Sequence, residues 1–124
     1  MTQQPQIMIS ASDYDLLYEM LEKLPDSEAT EKLAGELERA EIIDAESMPS
    51  DVVTMHSTVM FTILSSQKSF TYKLVYPSEA KASELLSILT PVGSALIGLS
   101  VGQEIEWPLG NNRSTTVRID KVLH

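Results

Sequence analysis

A chain of 124 residues, 43% hydrophobic and 22% charged, can bury one core, so a single small domain or one domain with an appendage is expected. It contains no cysteine, which excludes disulfides and thiolate metal sites. The net charge of −9 is uneven: residues 1–51 carry 13 acidic and 3 basic side chains and residues 52–124 carry 5 and 6, which disfavours direct binding to nucleic-acid backbones and suits a basic protein cleft.

After a disordered start with neither a basic leader nor a membrane-length apolar run, the expected address is the cytoplasm. Ile7 to Ile9 can form a short strand. Ser12 is the expected N-cap of a first helix, with Asp13 and Asp15 in its first turn and Leu17, Met20, Leu21 and Leu24 as its apolar stripe. Pro25 stops that helix, and Asp26 and Ser27 offer caps for a second. The second stripe is Ala29, Leu33, Leu37, Ala40 and Ile43, with a Glu28–Lys32 pair at i,i+4 and a destabilising Gly35 in the interior. Two amphipathic helices joined so closely imply an antiparallel hairpin.

From Val52 the pattern changes to alternation. Val59, Phe61 and Ile63 share one face of a strand, Ser65 to Lys68 form a turn, and Phe70, Tyr72 and Leu74 point inward from a second strand that Pro77 ends. Residues 79–84 read as a polar loop and Ser87 to Leu89 as a brief strand. Thr90 then caps a helix of about two or three turns, opened by Pro91 and striped by Val92, Ala95, Leu96 and Leu99. Gly98 and Gly102 permit a reversal into a strand from Gln103 to Trp107, and Gly110-Asn111-Asn112-Arg113 is a hairpin turn into a last strand carrying Val117 and Ile119. A mostly antiparallel sheet packed on one short helix is an α+β arrangement.

No residue set announces chemistry. His56 and His124 stand beside no metal or triad motif; His56 next to Ser57 invites a hydrolase reading, but neighbours on a strand point to opposite faces. The glycines form no phosphate-cradling loop. No cofactor, metal site or catalytic residue is expected.

One pattern is more specific. Thr90, Pro91, Ala95, Leu96, Gly98 and Gly102 set out Thr/Ser-Pro-x-x-x-Ala-Leu-x-Gly-x-x-x-Gly, which resembles the C-terminal domain of bacterial Gre transcript-cleavage factors. Residues 48–55 (Met-Pro-Ser-Asp-Val-Val-Thr-Met), 74–77 (Leu-Val-Tyr-Pro) and 91–96 (Pro-Val-Gly-Ser-Ala-Leu) are more similar still to the Rnk family, regulators of nucleoside diphosphate kinase and small relatives of the Gre factors. The resemblance implies a short coiled-coil hairpin in residues 1–47 and an FKBP-like domain in residues 48–124. It also implies a transcription-associated protein that binds RNA polymerase as a monomer, without catalysis of its own.

In Gre-like proteins the globular domain docks at the rim of the polymerase secondary channel while the hairpin enters it. The docking positions fall on Thr90, Pro91, Val92 and Gly93, although Leu89 stands where Gre factors tend to have an acidic residue. The hairpin tip offers Asp26, Glu28 and Glu31, but the Gre tip motif that holds a magnesium ion is not reproduced, and carboxylates are ordinary at a helix start. A helix of about a dozen residues spans roughly 18 to 20 Å, far less than a Gre hairpin, so competition with Gre factors without stimulated cleavage is expected. The FKBP-like fold raises prolyl isomerisation as an alternative, with Phe61, Phe70, Tyr72 and Trp107 lining a pocket, although alternation makes these core residues first. A scaffold for another protein partner is the third reading.

Overall fold

The structure is a computed structural model in which residues 6–110 and 113–124 are described, the side chains of 107–110 excepted. β1 (Met8–Ser10) leads directly into α1 (Ala11–Glu22); α2 (Glu28–Arg39) follows and returns to β2 (Glu41–Ile43). A 3-10 turn at Ala45–Ser47 precedes β3 (Thr58–Ile63) and β4 (Lys68–Val75). After a second 3-10 turn at Pro77–Glu79 come β5 (Leu85–Ser87), α3 (Pro91–Leu96), β6 (Glu104–Gly110) and β7 (Arg113–Leu123). The five-stranded sheet runs β5-β4-β3-β7-β6, antiparallel except where β5 joins β4, so the α+β class stands.

The first helix starts earlier than its composition suggests. Ser10, not Ser12, is the N-cap, its side chain accepting from the Asp13 N–H at 3.1 Å. Pairing holds β1 extended up to Ser10, so the chain turns helical at the next residue. α2 opens with a reciprocal cap in which the Ser27 hydroxyl accepts from the Thr30 N–H and the Thr30 hydroxyl accepts from the Ser27 N–H. Its buried face is Thr30, Leu33 and Leu37. The stripe does not extend to Ile43: Ala40 is extended, and the β-branched Ile42 and Ile43 pair in parallel with Ile9 and Ser10 of β1. Among the described residues the ion pairs within these two helices are Glu19 with Lys23 and Glu36 with Arg39, rather than the expected Glu28 with Lys32.

The hairpin and the sheet share one core. Ile7, Ile9, Leu17, Leu33 and Leu37 belong to the same buried cluster as Val53, Val59, Phe61, Leu96, Leu99, Val117 and Ile119. The seam between them is backbone: Met8 N–H donates to Gly98 O, Gly98 N–H to Val53 O, and Val53 N–H to Leu99 O. Gly98 has φ +82°, and a Cβ there would lie 2.7 Å from the Ile7 Cβ, so glycine is required for so close an approach. This seam shortens α3 to six residues: Ile97 is already extended, and Leu99 lies beyond the helix. β5 likewise forms two residues earlier than Ser87 to Leu89, in register with Lys73 to Val75. Gly110 pairs with Arg113, while Asn111 and Asn112 of the expected turn lie outside the described residues.

Candidate functional site

The element singled out by sequence, Thr90 to Gly93, is a tightly braced corner. Thr90 Oγ1 accepts from the Gly93 N–H at 3.0 Å and donates to Ser87 O at 2.7 Å, while the Thr90 N–H also donates to Ser87 O. Gly93 packs so close to β5 that a Cβ would fall 2.2 Å from Ser87 O. Pro91 needs no donor at the first helical position and is exposed; Thr90 and Val92 are half-buried and Gly93 is buried. The corner therefore presents Pro91 outward with Thr90 and Val92 at its flanks, and Gly93 serves the bracing.

Beside this corner lies an apolar pocket of about 130 Å³ lined by Phe61, Ile63, Phe70, Tyr72, Leu86 and Val92. Its three rings stack, with centroids 5.7 Å apart for Phe61 and Phe70 and 6.1 Å for Phe61 and Tyr72. Three of the four aromatics expected to share a pocket thus do so; the Trp107 side chain lies outside the described residues.

At the hairpin tip Asp26, Glu28 and Glu31 are all exposed. Ser27 supplies the cap, leaving Asp26 in the connecting loop and Glu28 and Glu31 in the first turn of α2, where carboxylates favour the helix dipole. Asp26 and Glu31 join Glu22 around an open groove of about 220 Å³ floored by Tyr18, Leu21 and Ala34. Among the described residues no group of three or more His, Asp or Glu side chains is arranged to hold a metal ion.

The histidines have structural partners that sequence could not supply. His56 sits in a turn with φ +68°, its Nε2 lies 2.9 Å from Glu79 Oε1, and its ring meets the edge of Tyr76. The His56 hydrogen bond and the Tyr76 N–H together lower the Glu79 carboxyl below its ordinary value. Burial pushes the Tyr76 hydroxyl up to about 12, with Asp13 and Glu79 adding to the shift. Ser57 meets not its neighbour but His124, with Oγ 3.1 Å from Nδ1; the far nitrogen of that ring lies 3.0 Å from Ser50 O. A carbonyl only accepts, so Nε2 carries a proton, and in the neutral ring Nδ1 is left to accept from the Ser57 hydroxyl. Ser57 is fully buried and also takes the Thr54 N–H, so this serine and histidine fasten the end of β7 to the turn before β3, and although His124 borders an open pocket the Ser57 side chain has no exposed face to offer a substrate.

The five-stranded sheet with its proline-started corner at one edge places this part of the chain in the Gre C-terminal class: residues 48–124 match the family model for the C-terminal part of the transcription elongation factors GreA/GreB. Residues 5–43 match the model for the Rnk N-terminus. The chain is 39% identical over 121 residues to the regulator of nucleoside diphosphate kinase of Escherichia coli (strain K12), covering 93% of this chain and 87% of that one. The chain belongs to the Rnk family of regulators of nucleoside diphosphate kinase. Transcription elongation factor GreA of Helicobacter hepaticus is 35% identical over 79 residues, which span 63% of this chain and 48% of that protein. Among solved structures, a GreA/GreB elongation factor from Nitrosomonas europaea superposes with a TM-score of 0.78 at 47% identity, covering 97% of this chain and 99% of that one. Gfh1 of Thermus aquaticus shares the fold alone, at 17% identity and a TM-score of 0.53 over 96% of this chain and 99% of that one. No helix of the described residues is long and apolar enough to cross a membrane.

Proposed function

We propose that this protein is a cytoplasmic, non-catalytic regulator that docks on RNA polymerase at the rim of the secondary channel, one copy per enzyme, and competes there with Gre factors. Two working parts serve this role, a hairpin in residues 1–47 and a docking domain in residues 48–124. The observation that carries the reading is the corner at Thr90 to Gly93, whose backbone is fixed by Ser87 and which offers an exposed proline. A rigid apolar contact loses little conformational entropy when covered, so even a small corner can contribute usefully to binding. The acidic hairpin, within a segment of 13 acidic and 3 basic side chains, suits a basic channel.

Reach sets what the hairpin can do. α1 has 12 residues and α2 has 12, about 18 Å each. Asp26, Glu28 and Glu31 then stop short of an active site that a long Gre hairpin reaches, so they obstruct the channel without helping RNA hydrolysis. Fluorescence binding of the labelled full chain to purified core polymerase tests this reading: saturable binding supports it, and no interaction at micromolar protein removes it.

The stacked aromatic pocket favours a second reading, prolyl isomerisation, since about 130 Å³ between Phe61, Phe70 and Tyr72 suits one proline ring. Unaccelerated cis to trans conversion of a proline peptide would remove it. Loss of both activities would leave a scaffold for another partner.

A further inference from the structure

α1 and α2 leave a groove between them at the hairpin tip. Tyr18, Leu21 and Ala34 make an apolar floor, and the rim carries Glu22 from the last position of α1, Asp26 from the connecting loop and Glu31 from the first turn of α2. Tyr14 packs against Tyr18 with ring centroids 4.7 Å apart and supports that ring in the floor. Elsewhere on the hairpin Glu19 pairs with Lys23 and Glu36 with Arg39. Among the described residues the three rim carboxylates have neither an ion pair nor a side-chain hydrogen bond, and no basic side chain lines the groove.

We propose that this groove is an arginine receptor: it takes one arginine side chain of a protein partner, with the stem on the apolar floor and the guanidinium among the three carboxylates. The inference rests on the docking reading only for the source of that arginine, a wall of the channel that the hairpin enters. Size narrows the occupant first. At about 220 Å³ the groove is smaller than the roughly 300 Å³ at which small-molecule clefts begin, so it suits a single long side chain. Charge then selects a cation and disfavours nucleic acid. A bare metal ion is the wrong cation, because among the described residues no three carboxylates are arranged to hold one. Lysine and arginine remain, and the floor and rim separate them. The carboxylates stand on two helices and a loop, which a point-like ammonium cannot bridge, whereas a planar guanidinium spreads five N–H donors and lies flat on an aromatic ring. The aliphatic stem covers Leu21 and Ala34. The Tyr14 hydroxyl, burial and the Glu38 carboxylate hold the Tyr18 hydroxyl above its ordinary value, so the negative field continues past the rim along α2.

Nuclear magnetic resonance titration of the isotope-labelled full chain with the blocked peptide acetyl-Gly-Arg-Gly-amide tests this at low salt, with circular dichroism confirming that each variant folds. Saturable shifts are expected at the amides of Leu21, Asp26 and Ala34, with a dissociation constant of about 1–10 mM for one side chain held by exposed charges. The lysine peptide, of equal charge, should bind at least about threefold more weakly, and the peptide with neutral citrulline should not saturate. Glu22→Gln with Glu31→Gln should weaken the arginine peptide about fivefold, while Glu41→Gln with Glu46→Gln, the same charge change at exposed sites outside the groove, should leave it within about twofold. Shifts that do not saturate, or that centre elsewhere, overturn the proposal. Equal binding of the lysine or citrulline peptide, or equal effects of the two double variants, also overturns it. The docking reading fails separately: peptide binding by a chain that does not bind core polymerase removes docking and leaves the receptor standing, and polymerase binding by a chain that ignores the peptide does the reverse.

Discussion

Replacing Gly93 by alanine probes the physical link between the fold and the Thr90–Gly93 corner. The added Cβ would lie 2.2 Å from Ser87 O and 3.0 Å from Thr90 Oγ1. Restoring ordinary contact distance requires the start of α3 and the end of β5 to separate by about 1 Å, and the atom in the way is backbone that also accepts both Thr90 hydrogen bonds. Overpacking of this kind costs about 1–3 kcal/mol, and weakening the Thr90 cap adds about 1 kcal/mol, for a total of about 2–4 kcal/mol. A chain of 124 residues unfolds with an entropy near 0.26 kcal/mol/K, so each kcal/mol moves Tm by about 4 °C. Thermal unfolding followed by circular dichroism should therefore show Gly93→Ala melting about 8–15 °C below the unsubstituted protein. A melting temperature within about 2 °C would refute the bracing of the corner.

Gly35 is the counterpart: it is exposed within α2, and a Cβ there would meet nothing within 4 Å. Gly35→Ala should accordingly stabilise by about 1 kcal/mol, a rise of about 4 °C in the same melt. Asp120 accepts from the Thr62 hydroxyl and from Arg118 Nε at 2.8 Å, which together hold its carboxyl below the usual range, the Thr62 bond contributing most. Its contribution is thus present above the unfolded value of about 3.9 and lost as pH falls through the depressed folded one; urea midpoints between about pH 2.5 and 6 should drop more steeply for the native chain than for Asp120→Asn, with Glu79 supplying a residual slope in both. Pro91→Asp should leave the melt nearly unchanged, since Asp is tolerated in a first helical turn, yet weaken binding to core polymerase at least about tenfold in a fluorescence titration.

Local chemistry was legible where it acts over a few residues. The Ser27 cap, the Pro91 start and the alternation of Val59 and Phe61 all express preferences of the chain within one or two turns, whereas α1 ends at Glu22, ahead of the Leu24 and Pro25 expected to close it. Long-range pairing was not. Ile42 and Ile43 fit the end of a helical stripe as well as a strand, and only the parallel edge of β1 decides between them. The same pairing fixes Ser10 as the cap in place of Ser12, two serines that local propensity cannot rank. α3 is shorter than its stripe because Gly98 leaves the helix to bond Met8 across the hairpin seam.

The site divides in the same way. That Pro91 opens a helix could be read from its missing N–H, but that Gly93 is buried against Ser87 O depends on how β5 lies. Ser57 and His124 are 67 residues apart, and no spacing rule joins them. Phe61, Phe70 and Tyr72 share a pocket because β3 and β4 set Phe61 opposite Phe70, which alternation anticipates once the two strands are paired.

Transcript cleavage in a stalled elongation complex tests the central claim most directly. No cleavage above background is expected from this protein alone, since from the proposed docking site a 12-residue helix of about 18 Å stops the Asp26 and Glu28 carboxylates short of the reacting phosphate. Cleavage by an added Gre factor should fall as this protein is titrated in and recover with excess Gre factor. Strong cleavage by the protein alone would contradict the reach argument, and undiminished Gre activity at saturating protein would contradict the shared docking site.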